Sequence, residues 1–273
     1  MANNQSQYQD IYDQWQNDPE AFWMKAAEQI DWFTAPTTCF DGDSSLSGRW
    51  FPDATTNTCY NAVDRHVAAG RGDQPALIYD SPVTGNSRQI SYAELLDEVE
   101  TLAAVLAGRG VIKGDCVIIY MPMIPEAVIA MLAVARLGAI HSVVFGGFAP
   151  AELAIRINDA TPKAMISATC GIELSGVIAY KPLLDQAIEQ ASHKPETCLI
   201  LAREQQDGTR IDGRDIDYAE AMANARANGN KHACVAVKAT DPLYILYTSG
   251  TTGQPKGVVR DNGGHMTALM WTM

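Results

Sequence analysis

The chain has 273 residues, 47% of them hydrophobic, and a formal charge of -12. That length and apolar content suit one or two folded cores and exclude disorder as its general state. The negative field excludes broad attraction to nucleic acid or to an anionic membrane surface, so a polyanionic small ligand must be held by local donors, a lysine or a metal ion.

The first residues are polar, with Asn3, Asn4 and Gln5 where a secretory leader needs basic and then apolar residues, and the expected location is cytoplasmic. The longest apolar stretch, Ala127 to Ala135, falls well short of the roughly 20 residues of a spanning helix and reads as a buried core helix. Residues 1–66 are rich in Trp, Phe and Tyr. They hold a helical pattern from Ile11 to Trp15, a second one capped by Asp18 with Pro19 in its first turn, and loop-like sequence through Pro36, Gly42, Gly48 and Pro52. So many aromatics exceed what a short segment buries alone, which predicts an N-terminal cap packed on a larger body.

From Gln74 the pattern becomes a regular alternation of strand and helix. Ala76 to Tyr79 is a short apolar run, and Ser91 with Glu94 makes a capping box ahead of Leu95, Leu96, Val99, Leu102, Ala103 and Leu106 at helical spacing. Strands are expected at Asp115–Met121, Ile140–Val144, Lys163–Ser167, Cys198–Ala202 and Leu243–Tyr247. Helices are expected at Pro125–Leu137, Pro150–Asp159, Pro182–Ala191 and Asp217–Ala227. The fold class is therefore α/β, a mostly parallel sheet with helices on both faces, in residues 67–273. Such folds bind ligands at the carboxyl ends of their strands.

Cys39, Cys59, Cys116, Cys170, Cys198 and Cys234 show no C-x-x-C pairing and read as reduced structural thiols. His66, His141, His193, His232 and His265 are scattered without an H-x-x-x-H pair, and no metal ligand is assigned.

At the carboxyl end of the last strand stands Thr248-Ser249-Gly250-Thr251-Thr252-Gly253-Gln254-Pro255-Lys256-Gly257, ten residues with three glycines, four hydroxyls and one lysine. Glycines let backbone N–H groups converge on an anion, hydroxyls add donors, and Lys256 supplies a point charge for a phosphate. A Walker A loop is excluded, because Lys256 is followed by Gly257 and not by Ser or Thr.

The stretch Tyr247 to Val258 resembles the signature loop of adenylate-forming enzymes. Asp18-Pro19-Glu20-Ala21-Phe22-Trp23, Arg49-Trp50-Phe51-Pro52-Asp53 and Asn57 to His66 resemble the N-terminal cap of short-chain acyl-CoA synthetases, and Ala139 to Phe148 resembles their coenzyme A contact segment. Arg260-Asp261-Asn262-Gly263-Gly264-His265 is more similar to propionyl-CoA than to acetyl-CoA synthetases. The resemblance implies ATP, Mg²⁺ and coenzyme A as cofactors, a short-chain carboxylate as substrate, and an acyl-adenylate intermediate. It places Thr248 and Lys256 in catalysis, Ser249, Gly250, Thr251, Thr252, Gly253 and Gly257 around the phosphates, and Phe145, Gly146 and Gly147 along the coenzyme A path. It also implies an arginine for a coenzyme A phosphate where Gly176 stands; Lys181 is a nearby substitute, though its plain reading is an exposed, solvated lysine. The family's later motifs have no counterpart, so the chain is expected to be the front part of such an enzyme, with the C-terminal portion as its missing partner and with no turnover of its own. A non-catalytic interaction module and an ATP hydrolase are the rival readings, the latter lacking a water-positioning acid.

Overall fold

The computed structural model describes residues 7–43, 48–248 and 255–273. The chain divides into two compact units, residues 1–56 with 236–241 and 261–273, and residues 57–235 with 242–260.

The larger unit is organised by one sheet of seven strands: β1 (Cys116–Tyr120), β2 (Ile140–Val143), β3 (Ala164–Ala168), β4 (Thr197–Leu201), β5 (Asp215–Asp217), β6 (Pro242–Thr248) and β7 (Lys256–Asp261). Their spatial order is β5-β4-β3-β1-β2-β6-β7, and every pairing from β5 to β6 is parallel. Side chains of successive strand residues point to opposite faces, and β1 is apolar at every position for that reason. Val117 and Ile119 enter one core with Leu102, Leu106, Ile129 and Met222, while Ile118 and Tyr120 enter the other with Leu153, Ile157, Leu184 and Ile188. Helices Tyr92–Gly108, Pro125–Arg136 and Tyr218–Ala227 supply the first core, and Pro150–Ala160 and Tyr180–Gln190 the second. Each fully buried Leu or Ile stabilises the fold by about 1.5–3 kcal/mol.

The α/β reading holds, with local differences. The Ala76–Tyr79 run lies within strand Pro75–Ser81, which pairs antiparallel with Asn86–Ser91 in a separate hairpin. A second antiparallel hairpin, Cys170–Glu173 with Gly176–Ala179, has no alternating apolar signal, and the edge strand Asp215–Asp217 is too short and charged to show one. Helix boundaries follow local chemistry. The Ser91–Glu94 capping box is present on both sides, and Asp217 caps its helix by accepting from Glu220 N at 2.8 Å.

In the smaller unit, Asp18 accepts from Ala21 N at 3.0 Å and so starts helix Pro19–Ala27. Trp23 and Phe22 meet Trp271 of the final helix Gly263–Thr272 with ring centroids 5.8 and 5.4 Å apart. Strand Thr55–Thr56 pairs antiparallel with Val237–Lys238. Among the described residues no helix is long and apolar enough to cross a membrane.

Candidate functional site

The chain runs from β1 to β2 on one side, then crosses over β1 to β3 on the other. Such a reversal splays the following loops and leaves a crevice beyond the strand ends. The larger unit holds a cavity of about 500 Å³ there. Met121 and Pro122 after β1, Val144, Phe145 and Gly146 after β2, and Leu246 of β6 line it, together with Tyr180, Glu173 and Arg203. Phe145 and Gly146, two of the three residues assigned to the coenzyme A path, thus share one cavity with the end of the strand that leads to Thr248. Phe145 leaves 63% of its surface exposed. Gly147 is not in that lining; its N–H donates to Tyr120 Oη at 3.1 Å, and that hydroxyl donates to Phe148 O at 3.1 Å.

Tyr180 explains Gly146. A Cβ added at Gly146 would stand 2.3 Å from Tyr180 Oη, and one added at Gly171 would stand 2.4 Å from the same atom, so the phenol is wedged between two bare backbones. Tyr180 is 3% exposed and lines the cavity, yet its Oη has no hydrogen-bond partner among the described residues. Burial pushes the phenol up to about 12, helped by Tyr120 and Glu173 and opposed by Arg203. It is therefore a neutral hydroxyl at neutral pH, available as a donor to a ligand. Gly146→Ala is expected to lose about 1–3 kcal/mol to overpacking, read as a lower urea midpoint. Adding Tyr180→Ala should recover part of that loss, and a Gly146→Ala midpoint equal to wild type would remove the steric account.

The phosphate-loop assignment falls partly outside the described residues: Ser249, Gly250, Thr251, Thr252 and Gly253 lie there. Its two ends are described. Thr248 is exposed as the last residue of β6, and Lys256 is exposed as the first of β7. Gly257 lets β7 pass the preceding strand closely, since a Cβ would come within 3.1 Å of Ile245 and 3.2 Å of the Tyr247 ring. Tyr247 Oη donates to Asp159 Oδ2 at 2.6 Å, and the Arg156 guanidinium lies 5.5 Å from the centroid of the Tyr247 ring and 4.7 Å from that of Phe148. Burial, then the Asp159 carboxylate, holds the Tyr247 phenol well above its ordinary range. The base of the loop is thus tied to helix Pro150–Ala160.

Lys181 corrects the solvated reading. Its side chain is 2% exposed and pairs with Asp185 at 2.6 Å in the next turn of helix Tyr180–Gln190 and with Asp215 at 2.9 Å on the edge strand, and so does not extend into solvent. It is not free to meet a ligand phosphate. Gly176 has φ +129°, where a side chain is strained, so this turn favours glycine over the expected arginine. The cation that does line the cavity is Arg203, whose Nη1 donates to Cys170 O at 3.2 Å and which has no carboxylate partner among the described residues. Tyr180, Arg203 and Asp159 carry no motif in the sequence; only the sheet order brings them to this edge.

In the smaller unit, Gly263-Gly264-His265 opens the last helix. Asp261 Oδ1 accepts from His265 N at 2.9 Å, and Gly263 packs where a Cβ would lie 2.4 Å from that of Ala239. Burial raises the Asp261 carboxyl, and the Gly264 and His265 N–H groups oppose it.

Residues 64–273 match the AMP-binding enzyme family, and residues 8–62 match the acetyl-coenzyme A synthetase N-terminus. The human mitochondrial acyl-CoA synthetase short-chain family member 3 is 50% identical over 257 residues, 94% of this chain and 37% of that protein. An acetyl-coenzyme A synthetase of Streptomyces avermitilis is 43% identical over 272 residues, 100% of this chain and 41% of that protein. An uncharacterised Pseudomonas aeruginosa protein is 51% identical over 256 residues, 94% of this chain and 40% of its own length. The chain spans about two fifths of the length of these relatives.

Proposed function

Because the chain belongs to the AMP-binding enzyme family, we propose that it serves an enzyme that ligates a short-chain carboxylate, propionate in preference to acetate, to coenzyme A through an acyl-adenylate. A carboxylate does not acylate a thiol unaided, since the anion is a poor electrophile and its oxygen a poor leaving group. Attack of its oxygen on the α-phosphorus of ATP expels pyrophosphate and leaves a mixed anhydride. The thiol sulfur then attacks the acyl carbon and AMP departs.

On this reading Lys256, at the start of β7, offsets charge on the departing pyrophosphate. Thr248, Ser249, Gly250, Thr251, Thr252, Gly253 and Gly257 offer hydroxyl and backbone donors around it. Mg²⁺ arriving with the triphosphate would neutralise part of the same charge. On the acceptor side, Phe145 and Gly146 border the path of coenzyme A. Arg203 offers its fork to a phosphate in place of an arginine at 176, and the Tyr180 hydroxyl donates to an amide carbonyl of the pantetheine arm. The observation that carries the proposal is the placement of the loop's ends: Thr248 closes a parallel strand at the carboxyl edge, beside the switch-point crevice, where this fold class binds its ligands. Propionate is supported by the Arg260 to His265 resemblance, and a short-chain acyl group more broadly by a relative named for such groups at 50% identity.

Carboxylate-dependent ATP–pyrophosphate exchange and thioester formation by the enzyme that contains this chain, with its C-terminal portion present, test this. One methylene in an apolar pocket is worth about 1–3 kcal/mol, so propionate should exceed acetate in kcat/KM by roughly tenfold or more. Lys256→Ala should lower exchange by roughly a hundredfold. Equal rates with both acids would remove the propionate assignment, and exchange independent of any carboxylate would remove the ligase.

A further inference from the structure

Cys59 and Cys234 lie far apart in the chain and meet in the larger unit. Their sulfurs and a carboxylate oxygen of Asp64 all fall within 4.8 Å of one another. The backbones that carry them are pinned together by Asn57. Its amide donates to Ala135 O at 3.0 Å, Arg136 O at 3.2 Å and Val235 O at 2.9 Å, and its Oδ1 accepts from Cys59 N at 2.9 Å. Val235 N donates to Arg136 O at 2.9 Å, which fixes the residue next to Cys234. Neither segment can drift from the other without breaking these bonds.

The same three donors resemble a site for a soft metal ion, but a guanidinium already occupies it. Arg136 Nη1 donates to Asp64 Oδ2 at 2.8 Å and to Cys59 Sγ at 3.6 Å, while Cys234 Sγ donates to Asp64 Oδ2 at 3.7 Å. A divalent ion would have to displace or face that buried charge. For a thiolate the same cation is favourable. We propose that Cys59 and Cys234 form an oxidisable dithiol that closes to an intrachain disulfide when the protein meets a peroxide.

The Cys234 sulfur, half-buried where Cys59 is fully buried, attacks one peroxide oxygen. The O–O bond breaks, giving a sulfenic acid and a hydroxide that takes the thiol proton as water. The Cys59 sulfur then attacks the sulfenic sulfur; an S–S bond forms, the S–O bond breaks, and the Cys59 proton leaves with the hydroxide as a second water. Two thiols are oxidised and one peroxide is reduced to two waters. Cys59 beside it and burial push the Cys234 thiol up, while Arg136 opposes them. Reduced Cys234 is accordingly slow towards alkylating reagents, and adjacency rather than exposure directs oxidation of the pair. The bond would tie the start of the larger unit to its residue 234 and constrain the unfolded chain over a long loop.

The native protein is treated with hydrogen peroxide in small excess, alkylated after denaturation, digested and examined by mass spectrometry. The expected product links the peptides of Cys59 and Cys234, consumes two alkylatable thiols, raises Tm by about 5–10 °C and reverts with dithiothreitol. Cys59 is fully buried and its replacement risks misfolding, so Cys234→Ser is the control. It should fold, form no link and show no peroxide-dependent rise in Tm. Oxidation spread over the other cysteines without this link, an unchanged thiol count, or stoichiometric Zn²⁺ that protects both thiols overturns the proposal.

Discussion

Arg136→Met is expected to destabilise the larger unit by about 3–5 kcal/mol, the usual result of removing one partner from a buried ion pair. Arg136 is the last residue of helix Pro125–Arg136 and only 2% exposed. Its fork reaches Asp64 at 2.8 and 3.0 Å and Glu100 at 3.0 Å, and its Nε donates to His232 O. Burial opposes the charge, but the bond to Asp64, together with the neighbouring Cys234, Cys59 and the Asp64 charge, outweighs it and raises the guanidinium pKa, so the group stays charged wherever the protein is folded. Methionine fills much of the same volume and supplies none of these donors. Asp64 and Glu100 then lose their shared guanidinium and the His232 carbonyl loses its partner. Urea unfolding of wild type, Arg136→Met and Arg136→Met with Asp64→Asn tests this. The double variant should regain part of the loss, because one orphaned charge is gone. Arg136→Lys should stay well below wild type, since an ammonium cannot reproduce the fork. A single variant within about 1 kcal/mol of wild type would show that the pair contributes specificity and not stability.

The second large effect belongs to Asp215. Its side chain is fully buried between Arg214 at 2.7 Å and Lys181 at 2.9 Å, and it accepts from Ile211 N at 2.8 Å. Asp215→Asn leaves Lys181 and Arg214 to share the half-buried Asp185, and a loss of about 3 kcal/mol is expected at neutral pH. Burial pushes the Asp215 carboxyl up, but the bonds from Arg214, Ile211 and Lys181 together hold it below the ordinary 3.8. A depressed folded-state pKa contributes stability above the unfolded value and loses it as pH falls through the folded one. Wild type should therefore lose stability below about pH 4, whereas Asp215→Asn should be flatter there. The gap between the two urea midpoints is expected to narrow in acid. A gap that does not change between pH 7 and pH 3 would sink the charge account.

The main sheet was legible because its strands are apolar on both faces and its helices carry their own start signals. Cys116–Tyr120 can only be a strand sealed from both sides, and Ser91 with Glu94 fixes a helix start within four residues of chain. The two antiparallel hairpins were less so. In Cys170–Glu173 and Gly176–Ala179 one end of each strand is exposed and the apolar alternation is too short to count. Lys181 misled for a related reason: a lysine in an amphipathic helix is usually solvated, and its two carboxylate partners come from the next turn and from a strand 34 positions away.

The signature loop, the order of strand and helix, and the family they imply follow from short-range patterns, since periodicity, caps and glycine-rich turns act over a few residues. The sheet order alone decided which strand ends meet. By placing β1 between β2 and β3, it set Tyr180 between Gly146 and Gly171 and turned Arg203 to the cavity, while the long-range bonds of Asn57 hold Cys234 beside Cys59. The Gly146–Tyr180 and Cys59–Cys234 contacts join positions 34 and 175 apart in the chain, and a local pattern cannot encode a partner it never touches.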